Sequence, residues 1–168
     1  HSASSAASDV YKRQIPNTVA NSVRKISNFN VALTTIHLNG GKDMIEAASS
    51  EKGNIKILGV SILTSLSEND IFEITHTEFD AYFNNLISIA SNTNVDGVVC
   101  SPNELDKLKN FNKLKVVPGI RNDISDDDQK RVMSPMEAYK KGADFIVVGR
   151  PITKSEDPRK ACLLYTSP

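Results

Sequence analysis

Charge of one sign is what this chain lacks most plainly: 20 Lys and Arg balance 20 Asp and Glu over 168 residues, a formal net charge of +0. No overall field draws it to nucleic acid or to an anionic membrane, so any anion site must be local. Cysteine is scarce. Cys100 and Cys162 supply neither a disulfide framework nor the paired spacing of a zinc site, which points to a reducing cytoplasm, with Cys100 as a small buried hydrophobe. No apolar run is long enough to span a bilayer, and the first residues lack the basic-then-apolar order of a signal peptide, so no membrane partner is expected. An initiating Met is missing too. The opening from His1 to Ser8 is small and polar, without a periodicity to hold it on a core. Residues 9–14 and 162–168 resemble peptides translated from sequencing-adapter DNA. Residues 1–14 and 162–168 are therefore expected to be foreign tails, leaving 15–161 as one domain.

Five short runs rich in Val, Ile or Leu are expected as strands: Ala32–Leu38, Lys56–Leu63, Asp96–Ser101, Lys115–Ile120 and Phe145–Arg150. Most are apolar on consecutive positions, as strands covered on both faces should be. Helical patterns separate them. Val19, Val23 and Ile26 recur at helical spacing behind Pro16; Ile45 and Ala48 mark a second helix that can stop at Gly53. Phe79, Tyr82, Phe83, Leu86 and Ala90 form an amphipathic stripe best read as core packing. Ser101-Pro-Asn-Glu104 and Ser134-Pro-Met-Glu137 each carry the hydroxyl, proline and glutamate of a capping box, and Gly142 can end the second of these helices. Such alternation argues for a parallel sheet with right-handed crossovers, either a doubly wound sheet or a (β/α)8 barrel. A barrel typically needs roughly 250 residues, and only part of one would be here.

The informative residues stand where strands end. Pro118-Gly-Ile-Arg121 closes one run and Gly149-Arg-Pro151 the last, each pairing a glycine that lets backbone approach a ligand with an arginine. In a barrel, the loops after the seventh and eighth strands are the usual phosphate site, and two guanidinium groups there would bind a phosphate monoester by charge-assisted bonds. Surface arginines beside structural glycines are the competing reading. The polar stretch Asn122–Ser134 between them is either a solvated loop or a lid. Other features carry less. His37 ends a strand without a suitably spaced second ligand, His76 lies in a polar connection, and Gly40-Gly41 lacks the further glycines of a dinucleotide loop. Asp123, Asp126, Asp127 and Asp128 lack the spacing of a calcium loop.

Taken together, Ile15-Pro-Asn-Thr-Val19, Thr35-Ile-His-Leu-Asn-Gly-Gly41, Val60-Ser-Ile-Leu-Thr-Ser65, Asp96-Gly-Val-Val-Cys-Ser101, Pro118-Gly-Ile-Arg121, Asp128-Gln-Lys-Arg131 and Gly142–Thr153 resemble, in this order and at these intervals, the orotidine 5′-phosphate decarboxylase family over Ile15–Ala161. The resemblance implies an incomplete (β/α)8 barrel, roughly strands four to eight with the helix preceding strand four. It implies that Arg121, Gln129, Gly149 and Arg150 bind phosphate, that Thr64 contacts the nucleotide near its base, and that Thr18 reaches the site of the neighbouring subunit in a homodimer. The implied ligand is orotidine or uridine monophosphate, with no metal or organic cofactor. Hexulose-phosphate synthase and ribulose-phosphate epimerase share such a phosphate site but fit Leu63-Thr-Ser65, the Ile15 entry and Gln129 less well. A non-catalytic phosphate-binding remnant is the alternative of another class.

The family's catalytic run, Asp-x-Lys-x-x-Asp, directly precedes the Ile-Pro-Asn-Thr segment. Aligning on Ile15 puts Asp9 at the first aspartate, Tyr11 at the lysine and Gln14 at the second aspartate. Lys12 stands one position late, and a one-residue shift along a strand turns a side chain to the other face. No catalytic residue is therefore expected in this chain, and no turnover. Five parallel strands in sequential order are expected, with Arg121 and Arg150 at one carboxyl edge and with open sheet edges and apolar faces exposed.

Overall fold

A computed structural model describes residues 6–8, 15–121 and 133–166. The described residues form two compact units: those up to Ile62 with Ser67–Val99, and Leu63–Leu66 with those from Cys100 onward.

In the first unit, helix α1 (Pro16–Ser27) starts on its proline and buries Val19 and Val23. It packs against α2 (Lys42–Ser50), which buries Met44, Ile45 and Ala48 and ends before Gly53. Strand β2 (Val31–His37) pairs in parallel with β3 (Lys56–Val60), and β3 with β4 (Gly97–Val99). Order along this sheet follows the chain, without the reversal that defines a doubly wound fold. Every residue of β3 after Lys56 is buried, as expected of a strand covered on both faces, whereas β2 buries only Thr34 and Ile36. Gly59 is needed for packing: a Cβ there would collide with the buried Leu38 side chain. Helix α4 (Phe79–Ser91) buries Phe79, Phe83, Leu86 and Ala90 of the expected stripe and leaves Tyr82 half-buried.

Two elements of this unit were not expected. Ala6–Ser8 forms β1, parallel to β2, where a tail without structure was foreseen. Its pairing comes from the edge of β2, whose unpaired peptide groups accept an extended segment with little regard for its side chains. Helix α3 (Glu68–Thr75) is opened by a reciprocal box in which Asp70 N–H donates to Ser67 Oγ and Ser67 N–H donates to Asp70 Oδ2, at 3.2 and 2.7 Å. It closes on His76, left-handed at φ 52°.

In the second unit, β5 (Leu114–Val117) pairs in parallel with β6 (Phe145–Ile146). The five expected strands exist, but all end early, at His37, Val60, Val99, Val117 and Ile146 rather than Leu38, Leu63, Ser101, Ile120 and Arg150. The expected cover also fails at the last strand, where Phe145 and Val147 are 48% and 49% exposed. The segment behind Ser101 is a 3-10 turn (Pro102–Leu108) rather than an α-helix, although Ser101 N–H donates to Glu104 Oε2 at 2.9 Å as a capping box requires. Helix α5 (Pro135–Lys140) carries the full box at Ser134 and Glu137 and is followed by Gly142 at φ 94°. Helix α7 (Pro158–Thr166) runs on through the expected boundary after Ala161, so the last seven residues are not set apart structurally at their start.

Candidate phosphate site

The second unit carries most of the expected site. Beyond Val117 the chain turns through Gly119, at φ 76°, a conformation that favours glycine. Ile120 then bridges to Met133, and Arg121 N–H donates to Met133 O at 3.1 Å. The Arg121 side chain is only 7% exposed, and both it and Arg150 interact with other groups. A guanidinium is costly to bury without partners, and Arg121 has them.

Arg150 does not close β6, as the sequence had suggested, but opens the short helix α6 (Arg150–Thr153). Both arginines nevertheless follow neighbouring strands. Val117 and Ile146 are register partners, and each arginine stands four residues beyond its own member of that pair. Gly149 precedes Arg150, and a Cβ built on it would meet nothing within 4 Å. The space over this backbone is not filled by protein.

Thr64 lies half-buried in the turn after β3, where Leu66 N–H donates to Leu63 O, and packs with this second unit. Thr18 belongs to the first unit. It sits in the first turn of α1, on a cleft of about 890 Å³ that is also lined by Ile15, Asn39, Ile74, Thr75 and Tyr82. Gln129, and with it most of the Asn122–Ser134 stretch, lies outside the described residues, as do Asp9, Tyr11 and Gln14. The structure therefore brings Thr64, Arg121, Gly149 and Arg150 into one unit and leaves Thr18 in the other.

Cys100, buried beside Glu104, has its thiol pushed up, first by loss of solvent and then by the Glu104 charge, with Lys115 opposing. A thiol so held carries little thiolate and is inert at neutral pH. Among the described residues no group of three or more His, Cys, Asp or Glu is placed to hold a metal ion, and no helix is long and apolar enough to cross a membrane.

Sequence reasoning missed a pair of aspartates. Asp96 N–H donates to Ile57 O and Asp96 Oδ2 accepts from Ile57 N–H, both at 2.8 Å. Asp144 does the same to Lys115, at 2.9 and 2.7 Å. The signal was present as a repeat, Val95-Asp96 and Ala143-Asp144, each just before a strand.

A profile of the orotidine 5′-phosphate decarboxylase / HUMPS family matches residues 14–165. The chain belongs to that family. It is 45% identical over 157 residues to the orotidine 5′-phosphate decarboxylase of Aquifex aeolicus, a match covering 89% of this chain and 68% of that relative. The enzyme of the same name from Ehrlichia chaffeensis is 41% identical over the same shares. Among solved structures, the orotidine 5′-phosphate decarboxylase of Lactobacillus acidophilus superposes with a TM-score of 0.83 at 31% identity, covering 96% of this chain and 73% of that one. The fold class is α/β, part of a (β/α)8 barrel, and the chain spans about two thirds of its curated relatives.

Proposed function

We propose that this chain is the phosphate-gripping part of an orotidine 5′-phosphate decarboxylase, whose reaction converts orotidine monophosphate to uridine monophosphate and carbon dioxide. The observation that carries this reading is the matched position of Arg121 and Arg150 beyond paired residues of two parallel strands, with open space over Gly149. Two guanidinium groups beyond neighbouring parallel strands suit the oxygens of a phosphate monoester. In this reading Gln129 adds a contact from the segment between the arginines, and Thr64 meets the nucleotide near its base. Thr18 serves the site of a second copy in a homodimer, and the protein works in the cytoplasm without metal or organic cofactor.

In the reaction itself the bond from the pyrimidine ring to its carboxylate breaks, the electron pair stays on the ring carbon, and an ammonium supplies the proton that replaces carbon dioxide. That carbanion has no internal stabilisation, so the site must favour the transition state over the substrate. Phosphate contacts remote from the reacting carbon supply positioning and drive closure. This chain does the gripping without the proton transfer. Tyr11 stands at the lysine position, and a phenol with pKa near ~10 carries no positive charge at neutral pH. Gln14 carries no charge either.

Calorimetric titration of the full chain tests the reading. Uridine monophosphate should bind more tightly than uridine, Arg150→Ala should abolish the difference, and orotidine monophosphate should show no turnover by ultraviolet absorbance. Equal affinity for nucleotide and nucleoside would reject the phosphate role. Preference for a pentulose phosphate over uridine monophosphate would move the chain to another member of the family. Turnover that Arg150→Ala abolishes would overturn the assignment of Tyr11.

A further inference from the structure

Asp96 and Asp144 make the same two-bond clamp on the strand before their own, but the strands they clamp differ in what else holds them. Between β3 and β4, Ile57, Leu58, Val60 and Val98 are buried, so a slipped register would misfit close-packed side chains on both faces of β3. Lys52 Nζ adds an ion pair to Asp96 Oδ2 at 2.7 Å. Burial alone fixes that register, and Asp96 reinforces it.

Between β5 and β6 burial cannot do so. The ladder pairs only Val116 with Phe145 and Val117 with Ile146. On β6, Phe145 is 48% exposed and Ile146 half-buried, and Val147 beyond it is 49% exposed. A strand this short and this exposed has no apolar face that a slip would penalise strongly. What ties it to β5 is the Asp144 clamp on Lys115 at one end and the bond from Val147 N–H to Val117 O, 2.9 Å, at the other. The carboxylate bond to the Lys115 N–H, at 2.7 Å, is charge-assisted and therefore among the stronger of these.

We infer that Asp144 is the positioning residue of the phosphate site: its clamp sets the β5–β6 register and thereby the relative height of Arg121 and Arg150. The inference rests on the phosphate reading above. A slip of one residue would carry β6 and the Arg150 segment behind it ~3.3 Å along the strand direction, and a slip of two ~6.6 Å. Either displacement separates two groups that must meet one phosphate, and misplacement on the ångström scale is enough to cost large factors in binding and rate.

The experiment compares Asp144→Ala, Asp144→Asn and Asp96→Ala in the full chain, with two readouts. The first needs no ligand: amide hydrogen exchange, followed by NMR, at Val147, which bonds across β5–β6, and at Ser61, which bonds across β3–β4 at 3.1 Å. Asp144→Ala should remove protection at Val147 and spare Ser61, and Asp96→Ala should leave both protected. The second readout is binding of uridine monophosphate against uridine. Asp144→Ala should weaken the nucleotide about tenfold and leave the nucleoside unchanged. Asp144→Asn, which keeps an acceptor oxygen, should recover most of the loss, and Asp96→Ala should bind as the parent does. Retained protection at Val147 in Asp144→Ala would overturn the inference, as would equal losses for nucleotide and nucleoside. If Arg150→Ala bound nucleotide as the parent does, the phosphate reading would fall instead, and the ligand-free exchange result would tell the two failures apart.

Discussion

The β3–β4 pair and the β5–β6 pair use the same aspartate clamp in opposite settings. In the first, four buried aliphatic side chains and a lysine stand behind it; in the second, the strand beyond it is half open to solvent. The lesson is that a local bond has no fixed weight. Where packing already specifies the arrangement, the bond adds a little stability. Where packing is indifferent, the same bond chooses between arrangements, and the geometry of everything downstream follows from it.

The largest effect expected from this contrast is in the cores themselves. Ile57→Ala, at a fully buried position, should destabilise by about 2–5 kcal/mol, whereas Val147→Ala should stay within about 0.5 kcal/mol, both measured by urea unfolding of the full chain. A comparable cost at Val147 would mean that β6 is packed and would break the comparison. Next comes Glu104, 1% exposed, whose carboxylate accepts the Ser101 N–H. Glu104→Ala should cost about 1–3 kcal/mol by leaving a buried donor unsatisfied, and Glu104→Gln, which keeps an acceptor, clearly less. If both variants cost the same, the second unit does not depend on that bond.

The smallest effect is at Glu137, where the Ser134 hydroxyl and then the Ser134 N–H hold the carboxyl below its ordinary value of 4.5. A depressed carboxyl stabilises the fold above the unfolded value and loses that contribution as pH falls through the folded one. The melting temperature of Glu137→Gln should therefore lie slightly below that of the parent at neutral pH, and the gap should close below pH 4.5. A gap that persists in acid would show that the cap acts through its hydroxyl alone.

How much of this was legible in the sequence depended on the range of the forces involved. The five strand cores announced themselves because Val and Ile runs reflect burial, which composition records directly. Strand ends did not, because a ladder stops where its neighbour stops, and that is not written in the segment itself. Ala6–Ser8 carries no strand signal, and its pairing is supplied by the neighbouring edge. Helix α3 escaped because it buries only Ile71, leaving Phe72 and Ile74 exposed, so no stripe marks it. Of the site, Arg121 and Arg150 were legible from their glycines and their place after strands. The register of the strands before them was not, since a half-exposed strand does not encode it in its apolar pattern.

Ile120, bridged to Met133, and Arg121, whose N–H meets Met133 O, bring the two ends of residues 122–132 together at one point. Because β5 and α5 are each fixed outside that clasp, the span between them is free to vary in length without moving either. Loop closure grows only slowly with length, about 0.6 kcal/mol for each doubling. The number of residues between Arg121 and Met133 can therefore change at little cost to the frame that fixes Arg121.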